Sequence, residues 1–230
     1  RDIAVPFECY THPLALSAPI ARALARAGCA MLRVGVQTVN DDTLAALDRR
    51  GDRARVAALV ETARDHGIPV SVDHILGLPG EGAADQEAAA RFYNDLRPRR
   101  VIVHWMTFLP GTTALDRAER DGLLTAAQVE WVRLGEQTEG FETPRAADPA
   151  ARAELDEMQS LEAVFDLLPL LPRALVRRML DGGWHRALPR GIALRQAAAL
   201  ALSLVDGATR ARMLTLLESA LRAAMPDVAR

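Results

Sequence analysis

Residues 70–82 read Val-Ser-Val-Asp-His-Ile-Leu-Gly-Leu-Pro-Gly-Glu-Gly, and a strand and a loop meet inside them. Val70 to Leu76 is short and rich in aliphatic residues, and Gly67 and Pro69 punctuate the chain just before it. It reads as a strand buried on both faces, the usual state of a parallel strand. Gly77 to Gly82 is a glycine-rich loop, and Ala83 to about Leu96 is a helix stopped by Pro98.

The same unit repeats to either side. Residues 3–9 and Met31 to Gln37 read as strands upstream, and Val101 to Phe108 as a strand downstream. Helices fill the gaps. One is capped by Ser17 and runs to about Ala27, one runs from Asn40–Asp41 to Leu47, and one from about Arg53 to His66. Strands recurring every ~30–40 residues with helices between them predict α/β architecture with right-handed parallel crossovers. Pattern alone leaves an open doubly wound sheet or a piece of a (β/α) TIM-type barrel.

After Thr112 the chain reads as helices only. Two are expected over residues 113–139, split at Gly122, followed by a linker from Thr143-Pro144 to Asp148-Pro149. Asp148-Pro149 is also a helix start. Leu167-Leu168-Pro169-Leu170-Leu171-Pro172 predicts a helix pair with a proline-marked turn, and Ile192 to Val205 is apolar on nearly every side, so a buried helix is expected there. A last amphipathic helix follows Gly207 and ends near Met225. The expected division is 1–140 for the βα part and 141–230 for an all-α C-terminal subdomain.

Composition excludes several classes. With 28 basic and 30 acidic residues the net charge is −2, so no basic stripe points to nucleic acid. No apolar run reaches the about 20 residues of a membrane helix. Cys9 and Cys29 are too few for a disulfide framework or a four-thiolate metal site, read as small buried residues, and fit a reducing, cytoplasmic setting. The chain has no lysine, which removes Schiff-base chemistry and weakens an unrelated barrel aldolase or lyase.

In parallel βα folds ligands bind where strands finish. Those positions are Glu8-Cys9, Gln37-Thr38, Gly77 to Glu81 and Pro110-Gly111-Thr112. The loop Gly77–Gly82 spells G-x-x-G-x-G, which differs from the dinucleotide fingerprint, and no phosphate-loop lysine follows it. Glu81 reads as a first-turn acid of the next helix, and His74 and His104 as interior or rim histidines.

Three blocks taken together resemble the radical S-adenosylmethionine (SAM) superfamily. Arg33-Val34-Gly35-Val36-Gln37, with Asn40 to Leu44 and Leu47-Asp48-Arg49-Arg50-Gly51, resembles the region of that family's fourth barrel strand. Ala63 to Val70 and Asp73-His74-Ile75-Leu76-Gly77-Leu78-Pro79-Gly80-Glu81 resemble the fifth. Phe108-Leu109-Pro110-Gly111-Thr112 resembles the end of the sixth. In style the blocks are nearest the branch that often carries an N-terminal cobalamin-binding domain.

The resemblance implies a partial TIM-type barrel, strands three to six, in a radical SAM enzyme. Its cofactors would be S-adenosylmethionine and a [4Fe-4S] cluster, with cobalamin a further candidate. The cluster's electron cleaves SAM to a 5′-deoxyadenosyl radical, which abstracts hydrogen or serves methyl transfer. Gln37 and Thr38 would lie near the SAM ribose, and Arg50 would pair with its carboxylate. Ile75 and Gly77 would lie against the adenine, with Leu109, Pro110 and Gly111 closing that pocket. Asp73 and His104 would face the barrel interior. The substrate, a small molecule or otherwise, and the catalytic residue are not implied.

The chain departs from the family in two ways. Thr38 and Val39 stand where Ser-Gly usually follows the strand-end glutamine, and neither the C-x3-C-x2-C cluster motif nor the Gly-Gly-Glu stretch is present. Both are expected upstream of Arg1, so this chain is read as lacking the N-terminal barrel half and as inactive alone. The alternative is a degenerate, non-catalytic relative acting as a binding or scaffold protein.

Overall fold

The computed structural model describes residues 5–49, 51–122, 124–135 and 149–188, together with Thr215, Glu218 and Ser219. Arg50, the 143–148 linker and the helix expected over 192–205 lie outside the described residues, as does nearly all of the last expected helix. The elements are β1 (Phe7–Thr11), α1 (Ala18–Arg26), β2 (Cys29–Gln37), α2 (Asp41–Ala46), α3 (Arg53–Asp65), β3 (Val70–Leu76), α4 (Ala83–Leu96) and β4 (Arg100–Trp105). Then come α5 (Thr113–Arg120), α6 (Ala126–Leu134), α7 (Pro149–Leu167) and α8 (Arg173–Asp181), and a 3-10 turn over Trp184–Ala187.

Most boundaries follow local chemistry. The Asn40 side chain accepts from the amides of Asp42 and Thr43, so α2 starts after it. Asp52 does the same for α3 by accepting from the Arg55 amide at 2.7 Å. Ser17 occupies the expected cap position of α1 but makes no side-chain capping bond; Pro19 in the first turn sets the start instead. The first strand is displaced from its expected place and runs from Phe7 to Thr11, because its register is set by pairing with Cys29 to Val34. The fourth strand ends at Trp105, short of Phe108.

The four strands are all parallel and lie in the order β1-β2-β3-β4. Sequence order equals spatial order, so every crossover steps in the same direction. A doubly wound sheet reverses direction at a switch point; this sheet does not. With right-handed crossovers, steps in one direction put every connecting helix on the same face. That is the arc of a (β/α) barrel, which resolves the choice left open by the pattern.

Side-chain alternation agrees. Val34, Val36, Val72, His74, Leu76 and Val101 are buried under the helices, in one core with Val56 and Leu59 of α3 and Ala89 and Tyr93 of α4. The other face carries Tyr10, Arg33, Gly35, Asp73, Ile75, Ile102 and His104, and its rim is open: Tyr10 is 70% exposed and His104 is exposed.

The described part of the tail packs into this same core. Leu161, Val164, Phe165 and Leu168 are fully buried with Val176 and Met179, against α4 and β4. Trp105 Nε1 donates to Glu162 Oε2 at 3.2 Å, tying β4 to α7. The turn between α7 and α8 is held by Arg97, which caps α4 in a left-handed conformation and donates to the carbonyls of Leu168 at 2.7 Å and Leu171 at 2.8 Å. A second, smaller core of Phe108, Leu115, Ala118, Leu124, Val129 and Val132 joins α5 to α6. No helix among the described residues is long and apolar enough to cross a membrane.

Candidate functional site

The carboxyl ends of β2, β3 and β4 share one edge of the sheet, and the most unusual backbone in the molecule is there. Gln37, the last residue of β2, has a φ of +69°. The Thr38 amide donates to the Val36 carbonyl at 2.9 Å, closing a three-residue γ-turn around Gln37. A γ-turn of positive φ is rare and strained, and a non-glycine residue held this way costs about 1–3 kcal/mol. The register between β2 and β3 shifts at the same point. The bent strand folds the Gln37 side chain back over Gly35, where its Nε2 would lie 2.9 Å from any added Cβ. Glycine at 35 leaves room for that amide on the open face; a larger residue would push it aside.

Behind the turn lies a buried polar chain. Asn40 donates its backbone N–H to Thr38 Oγ1 at 3.0 Å, and that hydroxyl donates to Glu81 Oε1. Gln86 Nε2 donates to Glu81 Oε2 at 2.8 Å, and its Oε1 meets His74 Nε2 at 2.7 Å. His74 Nδ1 meets the Tyr93 hydroxyl at 3.1 Å. Consistent assignment of donors makes His74 a neutral, Nε2-protonated imidazole, because Gln86 Oε1 can only accept. Tyr93 then donates to His74, His74 to Gln86 and Gln86 to Glu81. Glu81 receives donors from both sides, which suits a carboxylate.

Burial shifts these groups. His74 is pushed down to about 4 by desolvation, opposed by its bond to Gln86. Desolvation pushes the Glu81 carboxyl up, opposed by hydrogen bonds from Thr38, Thr43 and Gln86. Tyr93 is likewise pushed up by burial. A second link runs beside the chain: Asn40 Nδ2 donates to Asp85 Oδ1 at 2.7 Å, and Asp85 Oδ2 accepts from the Gly82 amide at 2.9 Å. The β3–α4 loop is thus fastened to the end of β2 at two points.

The expected site residues fall as follows. Gln37, Ile75 and Gly77 lie together at the carboxyl end of β2 and β3, with Ile75 on the open face beside His104. Thr38 adjoins them in sequence, but it is buried and its hydroxyl is committed to Glu81. Gly77 has a φ of +77°, and a Cβ there would approach the Trp105 ring at 3.7 Å. Leu109, Pro110 and Gly111 form an exposed loop past β4, closed by Thr112 Oγ1 donating to the Leu109 carbonyl at 2.8 Å. Arg50 lies outside the described residues. Its neighbour Arg49 donates from Nη2 to the Gly35 carbonyl at 2.9 Å. Asp73 and His104 are on the open face, and Asp73 pairs with Arg33 at 3.3 Å.

Two readings change. Glu81 precedes the Gly82 cap of α4, and Asp85 is the first-turn acid; Glu81 turns inward to Thr38. Arg33 was overlooked: its guanidinium lies 4.7 Å from the Tyr10 ring centroid and beside Asp73. A charged residue alternating with Leu32 and Val34 in an apolar strand was the available signal.

Among the described residues no group of three or more His, Cys, Asp or Glu side chains converges to hold a metal ion. The Cys9 and Cys29 sulfurs are 3.9 Å apart and both thiols are free, but two cysteines are fewer than a [4Fe-4S] cluster needs. These residues do not fit the cluster. At the strand ends an amide, an aliphatic side chain and a glycine without Cβ share the open edge.

Residues 3–93 match the family described as Radical SAM superfamily. No curated protein matches the chain. The radical S-adenosylmethionine methyltransferase TsrM from Kitasatospora setae, solved with cobalamin and [4Fe-4S] cluster bound, is similar at 23% identity and a TM-score of 0.48, over 53% of this chain and 23% of that one. Coproporphyrinogen III oxidase (HemN) from Escherichia coli, described as a radical SAM enzyme, is similar at 25% identity and a TM-score of 0.46, over 56% of this chain and 30% of that one. The chain therefore spans between 23% and 30% of the length of these structures. Over residues 3–93, less than half of its 230 residues, the chain is similar to the radical SAM superfamily.

Proposed function

We propose that this chain supplies part of the S-adenosylmethionine cradle of a radical SAM enzyme, acting with a cluster-bearing segment outside the described residues. When bound with its cluster, SAM supplies a 5′-deoxyadenosyl radical for hydrogen abstraction or methyl transfer. The observation that carries the reading is the convergence of Gln37, Ile75 and Gly77 on one strand-end edge within a matched family segment.

Each of these residues has a defined task under this reading. The Gln37 amide, free to donate and accept, hydrogen-bonds ribose hydroxyls. Ile75 presents an apolar surface to the adenine, and Gly77 lets the ring approach the backbone. Leu109, Pro110 and Gly111 cover the adenine edge from beyond β4 and exclude water. Thr38 fixes the backbone beneath Gln37, and Arg50 pairs with the SAM carboxylate. Cobalamin use belongs to the same proposal, as do the 1–140 and 141–230 division and a cytoplasmic setting.

The test is anaerobic reconstitution of the intact protein, reading iron content, SAM affinity and release of 5′-deoxyadenosine under a low-potential reductant. Reductant-dependent release supports the enzyme, and a corrinoid copurifying with it supports cobalamin. A protein loaded with iron that neither binds SAM nor releases deoxyadenosine overturns the enzyme reading and leaves a binding or scaffold role.

A further inference from the structure

We infer that Glu81 is a positioning residue, holding the strained turn at Gln37 through the Thr38 hydroxyl and so deciding where the Gln37 amide sits on the strand-end edge. This rests on the SAM-cradle reading for its consequence, but its structural half stands independently. A strained residue persists only where its surroundings over-determine it. At Gln37 the strain is local and its restraint is distant in sequence.

Without restraint, Gln37 would relax to ordinary extended backbone and β2 would continue straight. Relaxing the turn means breaking the bond from the Thr38 amide to Val36 and moving Thr38. Thr38 cannot move freely, because its hydroxyl is held between the Asn40 amide and the Glu81 carboxylate. Glu81 in turn is fixed by Gln86, and Gln86 by His74 on the neighbouring strand. The carboxylate is buried, so loss of its partners is not made good by solvent. The only polar side chain of loop 77–82 therefore reaches beneath β2 rather than out to solvent. One loop residue joins the two strand ends that the cofactor would touch.

The experiment compares Glu81→Ala, Thr38→Val and Thr38→Ser in the intact protein. Peptide-resolved hydrogen exchange reports the turn, and calorimetric titration of the reconstituted protein reports SAM affinity. In Glu81→Ala and Thr38→Val, exchange over residues 36–40 is expected to rise while peptides from α3 and α4 keep their rates. SAM affinity is expected to fall about tenfold in both variants, the lower range for loss of a supporting residue behind a ligand-binding group. Thr38→Ser keeps the hydroxyl and should restore both readouts.

A Glu81 that merely stabilises the fold would change the denaturation midpoint without a selective change over 36–40. The inference is overturned if exchange there is unchanged, if Thr38→Ser behaves like Thr38→Val, or if the turn loosens while SAM affinity holds. Should Glu81→Ala fail to fold, the two Thr38 variants decide alone, since they leave the carboxylate in place. Failure of the wild type to bind SAM overturns the proposed function. Exchange in the Thr38 pair then still tells whether the clamp exists.

Discussion

At Gly77 the chain combines a φ of +77° with the Trp105 ring 3.7 Å from any added Cβ. Gly77→Val places a β-branched side chain in the left-handed region, which costs about 1–2 kcal/mol. A urea midpoint lowered to that extent, with a weakened SAM titration, is the expected result; an unchanged midpoint would show that this backbone is not strained. His74 makes a prediction with a sign. Its folded pKa, about 4, lies below the ordinary 6.5, so the unfolded chain takes up the proton first as pH falls. The neutral-His74 contribution is complete above the unfolded value and declines between about 6.5 and about 4, by up to ~1.4 kcal/mol per pH unit. His185 is shifted the same way by burial and adds to the slope. Replacing His74 by Phe should remove about one proton's worth of slope from stability measured by urea unfolding at pH 7, 6 and 5. An unaltered slope would mean that His74 is not the group responsible. Of these two residues, Gly77 was legible from its motif. The role of His74 was not, because its partners Tyr93 and Gln86 lie on the next helix.

Between elements, the least anticipated contact is Arg97. It follows α4 at a left-handed cap and closes the turn between α7 and α8 through the carbonyls of Leu168 and Leu171. Burial lowers its pKa, yet the donors are matched to helix-end carbonyls, the groups that most need them. Arg97→Ala should cost about 1–3 kcal/mol, the range for charged hydrogen bonds, and speed exchange around residues 168–171. Exchange confined to its wild-type rate would show the turn to be held by Pro169 and Pro172 alone. The elements themselves were largely readable. Val70–Leu76 and Ala83–Leu96 run as expected because Pro69, Gly82 and Pro98 mark their limits. Phe7–Thr11 runs past its expected end because hydrogen bonding to β2, and not apolar composition, decides which residues pair.

At the scale of the whole molecule, the described residues form two cores of unequal size. The sheet, α3, α4, α7 and α8 share one, and six residues in and flanking α5 and α6 make the other. Opening a unit exposes its buried area, so α5 and α6 should exchange amide hydrogens well before β2, β3 and α4 in native-state measurements. Equal protection would mean that the two cores unfold together. At this scale sequence and tertiary structure divide the information. The residue pattern by itself determined that strands alternate with helices, where the second and third strands stop, and that small and polar residues gather at those stops. Local propensity and punctuation carry all of that. It did not determine that each strand pairs with its immediate successor, that the connecting helices cover one face, or that Thr38 meets Glu81. Stepping left or right along a sheet leaves local hydrogen bonding and periodicity the same, so only the burial of one shared core against α4 and α7 selects the barrel arc. The same packing brings together two residues 43 positions apart, a proximity no local reading contains.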